Sequence, residues 1–241
     1  MSQASPSAQV RRIVVAIDGP AGAGKSTVAR HVAQHFGLLN LETGAMYRAF
    51  GLKALRAGVA LDDCPALEKL SATTTIRLEA GETDSNLVFL DGEEVSGLIR
   101  DARVSDAASK VSVFPPIRAW MVRMQQEMGA QGGVVMEGRD IGTVVFPHAD
   151  AKIFLDAAPE VRGMRRFDQM GPAAKVPPED VIRDLRARDE RDRNRADSPL
   201  RAAEDSVLLD STHMTLDEVV RAAEQIVEAK IAGRAAAVPG N

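Results

Sequence analysis

The chain has 241 residues, room for one α/β domain carrying an insertion or at most two small domains. Its formal net charge of −4 argues against a general nucleic-acid-binding surface, and its single cysteine, Cys64, excludes a disulfide within the chain. No apolar run reaches the ~18 residues of a membrane span, so a soluble cytoplasmic protein without membrane partners is expected. With the acidic balance and no exposed apolar stripe, no nucleic-acid partner and a monomer are expected as well.

Residues 1–11 are small and polar and are expected to form a flexible tail, as are residues 233–241. Residues 12–18 (RIVVAID) form an apolar, β-branched run of the kind buried at the centre of a parallel sheet. Residues 26–36 have helical spacing, with Val28, Val32 and Phe36 on one face and Gly37 at the end. A short strand over 38–41 and a helix over 43–57 follow. The pattern then changes. Residues 75–79 and 86–90 read as an antiparallel hairpin around 81–85, and helices are expected near 101–112 and 116–130. Strands resume at 133–136, 152–155 and 207–209, alternating with helices over 159–170, 178–193 and 215–232. The fold class expected is therefore α/β: a doubly wound parallel sheet built from 12–64 and 132–232. An inserted α+β subdomain occupies 65–131, and a charged helical lid occupies about 171–200.

The sharpest motif follows the first strand. Gly19, Pro20, Ala21, Gly22, Ala23, Gly24, Lys25 and Ser26 fit G-x-x-x-x-G-K-[ST], and the string directly opens a helix. Glycines let successive backbone N–H groups point inward, and the helix N-terminus favours anionic oxygens. Lys25 is expected to reach the outer phosphates of ATP, with the Ser26 hydroxyl on Mg²⁺. Switch GTPases, transport ATPases and small-molecule kinases all use such a loop. The GTPase-like strings 168–171 (DQMG) and 194–197 (NRAD) lie in helical or charged context and read as chance matches.

A kinase that phosphorylates a phosphate must neutralise two mutually repelling anions, which calls for several arginines at the transfer point. Arg48 and Arg139 each follow a strand, near the carboxyl edge where open α/β sheets bind ligands. Arg188, Arg191 and Arg195 share one helical face with Asp192. Residues 183–201 hold seven arginines against five acids, so a solvated helix laced with ion pairs accounts for that spacing as well. His31 and His35, four apart, lie off the apolar face and read as solvent-facing. Met121, Met124 and Met128 read as core filler, and Trp120 as packing within the insert.

Taken together, IDGPAGAGKST, LETGAMYRA, EGRDIGTVVFP, AKIFLDA, RDERDRNRADSPL and VLLDST resemble bacterial cytidylate kinases, in order over nearly the whole chain. The resemblance implies transfer of a phosphoryl group from ATP to CMP or dCMP. It places Thr43, Tyr47, Arg48, Arg139 and Arg188 along the CMP side, the arginines holding its phosphate, with Ser109, Arg118 and Asp140 on the cytosine and Asp192 on the ribose. It places Gly19 to Thr27 on the ATP phosphates, with Arg162 and Arg166 near the ATP adenine and phosphates. Glu42 and Glu137 stand where the family usually has Asp, which keeps the charge and extends the reach by a methylene.

Overall fold

In the computed structural model, β1 (Val14–Asp18) is the middle strand of a five-stranded sheet, and every one of its residues is buried. An apolar run reads this way because helices cover both faces of a parallel sheet, leaving no solvent side to be polar. Residues 12–81, 86–171 and 176–237 are described. Residues 1–11, 82–85, 172–175 and 238–241, on which the expected tails and parts of the expected turn and lid fall, lie outside the described residues.

The sheet order is β2 (Leu39–Glu42), β6 (Val134–Gly138), β1, β7 (Ala151–Asp156), β8 (Val207–Asp210), with all neighbours parallel. Asp18 pairs with Gly138 and Glu42 with Glu137, so three carboxyl ends line up side by side. That register defines one edge of the sheet, and ligands in open α/β folds bind there.

On one face, α1 (Lys25–Phe36) and the last helix, α8 (Leu216–Ala237), bury Val28, Val32, Val219, Ala223 and Val227 against Ile17, Ile153 and Leu155. α1 stops where expected. Gly37 takes a left-handed conformation, and its N–H bonds back to the carbonyls of Ala33 and Gln34. α8 continues five residues beyond the expected 232, to Ala237.

α2 (Thr43–Arg56) turns its apolar side away from the sheet core toward the inserted segment. Met46, Ala49 and Phe50 pack with α4 (Ala102–Val111), α5 (Pro115–Gly129) and the hairpin strands β3 (Ile76–Ala80) and β4 (Asn86–Leu90). Met121 is fully buried in this cluster, and Trp120 meets Phe50 edge to face at 5.1 Å. Two local signals went unread in the sequence. Asp63 caps α3 (Cys64–Ser71) by accepting from Ala66 N–H at 3.1 Å, with Pro65 in the first turn. Asp91-Gly92, both at positive φ, turns β4 into a short third strand, β5 (Glu93–Glu94). Beyond the sheet, α6 (Pro159–Met170) packs against α7 (Pro178–Asn194), whose Val181 and Leu185 rest on Ala21 of the glycine loop.

Candidate active site

The glycine loop runs from β1 into α1, and three of its residues require glycine. Gly19, Gly22 and Gly24 have φ of 149°, 77° and 94°. A Cβ on Gly19 would also sit 1.9 Å from the Leu155 carbonyl oxygen. Pro20, Ala21 and Ala23 are buried, which fixes the loop from below. Ser26 is exposed and Thr27 half-buried on the first turn of α1. Lys25 is buried and donates from Nζ to the Pro20 carbonyl at 2.7 Å. Burial, reinforced by the Arg139 and Arg188 cations, pushes its ammonium down to about 7, against the attraction of Glu137 and Asp18.

Acids and arginines from separate elements surround this loop. Glu137, buried at the end of β6, accepts from Ser26 Oγ at 2.8 Å. Its carbonyl accepts from Thr43 Oγ1 at 2.8 Å. Burial pushes the Glu137 carboxyl up, with Lys25 opposing. Arg48, one turn into α2, pairs with Glu42. Arg139 donates from Nε to Asp192 Oδ2 at 2.9 Å, joining the end of β6 to α7. Burial first, then the Arg139, Arg48 and Arg191 cations, hold Arg188 down at about 10, with Asp192 opposing. Arg139 and Arg188 therefore act on Lys25, and Arg48 and Arg139 act on Arg188. Arg48 Nε and Arg188 Nε are buried without a hydrogen-bond partner among the described residues. Buried unpaired donors in a cationic cluster suit an anion.

A second group lies beside it. Arg118 and Asp140 form a buried ion pair, and Arg118 also donates to the Ser112 carbonyl at 3.3 Å. The Arg118 guanidinium lies 5.8 Å from the centroid of the Tyr47 ring. Burial pushes the Tyr47 hydroxyl up to about 12. Ser109, also buried, accepts at Oγ from Arg191 Nη2 at 3.3 Å. Arg195, just past the end of α7, donates to the Ser198 carbonyl at 2.7 Å and approaches Asp192 Oδ1 at 3.8 Å. It closes this group, and sequence reading gave it no site of its own.

Arg162 is 1% exposed and lies against the phosphate loop. Its guanidinium bonds the carbonyls of Ala21 (2.9 Å) and Ala157 (2.7 Å) and pairs with Asp189 (2.7 Å). An arginine so fully engaged buttresses the loop and ties it to α7 in this conformation. Arg166, one turn on, is half-buried. The 168–171 string spans the end of α6, and Arg195 of the 194–197 string is held by Asp192 and Ser198, so neither forms a base-binding loop. His35 lies between Glu224 and Glu228 at 3.6 and 3.4 Å on the far side of α1, and His31 is exposed.

A phosphate cradle at the carboxyl edge of a parallel sheet, faced by a ring of arginines, defines a P-loop phosphotransferase. The chain belongs to the cytidylate kinase family: the model of that family, described as cytidylate kinase, matches residues 15–229. A cytidylate kinase of Solibacter usitatus (strain Ellin6076) is 47% identical over 224 residues, 92% of this chain and 94% of that one. A cytidylate kinase of Desulforamulus reducens (strain ATCC BAA-1160 / DSM 100696 / MI-1) is 51% identical over 207 residues, 86% and 92% of the two chains. One from Pasteurella multocida (strain Pm70) is 41% identical over 220 residues, 90% and 96% of the two chains.

Proposed function

We propose that the protein transfers the γ-phosphoryl group of ATP to CMP or dCMP, giving ADP and CDP or dCDP. The observation that carries this reading is that the cradle lysine and the arginine cluster lie in one field, with Arg139 and Arg188 both acting on Lys25. Phosphoryl transfer leaves little covalent chemistry to a protein, so positioning and charge neutralisation are the means of catalysis. The loop N–H groups and Lys25 hold the donor. Arg48, Arg139 and Arg188 hold the acceptor phosphate and the charge on the group in flight, with Thr43 beside them. The acceptor oxygen is already anionic, so no general base is needed. Tyr47, Ser109, Arg118 and Asp140 frame the cytosine, and Asp192 the ribose. Ser26 Oγ beside the Glu137 carboxylate is a hard-oxygen pair suited to Mg²⁺, which would neutralise donor charge when bound. The arginine-bearing α7 closes as a lid and keeps water from the donor. The decisive assay is coupled ADP release with CMP, dCMP, UMP and AMP as acceptors. Preferential turnover of CMP or dCMP is expected. Equal or greater turnover of UMP or AMP would reassign the acceptor, and slow turnover whatever monophosphate is supplied would indicate a nucleotide switch.

The depressed Lys25 ammonium gives a pH prediction. Lys25 must be charged to hold phosphate, and a bound polyanion favours the charged form. Above about pH 7 the free Lys25 amine is mostly uncharged and must take up a proton as ATP binds, so ATP affinity falls as pH rises. Titration calorimetry at pH 8 in two buffers of different ionisation enthalpy should show uptake approaching one proton. Identical heats in the two buffers would mean that Lys25 is already charged.

A further inference from the structure

Asp18 closes β1 immediately before Gly19 opens the phosphate loop, yet no role above uses it. It is 6% exposed. Its carboxylate receives two backbone N–H groups from far along the chain: Ile141 donates to Oδ1 at 2.8 Å and Gly142 to Oδ2 at 2.7 Å. These begin a wide π-helical turn over Ile141–Val145. The first donors of any helical turn lack partners within it. Here a side chain on another strand supplies them, while Val144 and Val145 bond back to the Asp140 carbonyl at 2.9 and 3.2 Å. The approach is close: a Cβ on Gly142 would lie 3.4 Å from Asp18 Oδ2 and 3.1 Å from Lys152 Cδ.

The location matters because the sheet ladder holds β6 only as far as Gly138, which pairs with Asp18 itself. Arg139 and Asp140 come next, and Asp140 has φ −147° and ψ 23°, in neither strand nor helix. These two residues hang between the end of the ladder and the capped turn. Lys25 and Asp140 both act on the Asp18 charge, so the carboxylate lies near both the donor cradle and the base-reading acid.

We propose that Asp18 is a positioning residue for the acceptor: by capping the turn at Ile141 and Gly142 it fixes Arg139 and Asp140 against the phosphate loop, so that both substrates are referred to one anchor at the end of β1. This inference rests on the CMP kinase reading and deepens it. Asp18→Asn keeps the shape but turns one acceptor into a donor that opposes an N–H. Asp18→Glu keeps both acceptors and moves them by a methylene.

In Asp18→Glu, which keeps the charge that acts on Lys25, the Michaelis constant for ATP should stay within about twofold of the parent, because the glycine geometry of the loop does not depend on the turn. In Asp18→Asn, which removes that charge, it should rise by less than the constant for CMP does. In both variants the constant for CMP should rise about tenfold or more, and the CMP-over-UMP specificity ratio should fall by about tenfold, the scale of one misplaced hydrogen bond to a charged group. CMP binding measured by calorimetry without ATP should weaken in parallel, and amide exchange at Ile141 and Gly142 should accelerate. A role confined to stability predicts a lower melting temperature with both Michaelis constants moving together and the CMP/UMP ratio unchanged, and that outcome overturns the proposal. So does a parent-like CMP constant in either variant that folds. Should Asp18→Asn fail to fold, Asp18→Glu decides alone. A parent enzyme that does not phosphorylate CMP removes the kinase reading itself. An active parent with indifferent variants removes only the role of Asp18.

Discussion

Arg139→Ala is expected to lower turnover with CMP by about a thousandfold, the scale on which an arginine supplied to a transferring phosphoryl group acts. Arg139 bonds Asp192, and Glu137 and Asp189 act on its charge as well. It also helps hold Lys25 below its ordinary ammonium range. Its removal takes away a forked donor at the transfer point and leaves Glu137 and Asp192 less neutralised where two further anions must meet. A factor of 10³ is about 4 kcal/mol of transition-state stabilisation, more than a surface ion pair supplies. Arg139 is half-buried at the rim of the site, so the variant should still fold. The check is steady-state kinetics in both substrates alongside a melting curve. Arg139→Lys should recover only part of the loss, since a point charge cannot grip two oxygens of one phosphate in a plane. Near-normal turnover of Arg139→Ala would take that residue out of the chemistry.

The parts legible in the sequence were those whose signal is local. RIVVAID reads as a central strand because a strand covered on both faces must be apolar throughout, and β1 is that strand. The loop reads from its glycines because positive φ angles and the 1.9 Å approach to Leu155 admit nothing larger at Gly19. The arginines at strand ends were placed by topology, and the structure brings Arg48, Arg139 and Arg188 into one field. The parts that escaped depend on partners distant along the chain. Asp18 looks like an ordinary acid before a turn until its N–H partners, 123 and 124 residues away, are seen. Arg162 and Arg166 share a charged helix at i and i+4, and the spacing alone does not say which of them is buried. Whether one of them is buried depends on Asp189 and on where the loop carbonyls fall. α3 and the Asp91-Gly92 turn belong to neither class. Their cap and turn residues were present and went unread.

Asp140→Ala is the substitution expected to change what the enzyme accepts. Cytosine offers an exocyclic N–H₂ donor where uracil offers an acceptor, so a carboxylate there rewards the first and repels the second. Arg118 engages Oδ2 of Asp140, which orients the carboxylate, and its guanidinium lies 5.8 Å from the centroid of the Tyr47 ring. On the proposed reading that carboxylate would meet the base. A site built to pair one polar group rejects the mismatched analogue strongly, because the mismatch leaves a buried group unpaired. Loss of Asp140 should therefore lower the ratio of kcat/KM for CMP over UMP by on the order of a hundredfold, mainly through poorer CMP use. The same change strands the Arg118 guanidinium, 1% exposed, and breaking such a pair costs about 3–5 kcal/mol of stability. The ratio is the quantity to measure because a general loss of folded enzyme cancels from it. Asp140→Asn, which keeps a partner for Arg118 while presenting an amide to the base, should move the ratio in the same direction with less loss of stability. If both variants keep the parent ratio, the base is read elsewhere, and the buried Arg118–Asp140 pair serves the fold alone.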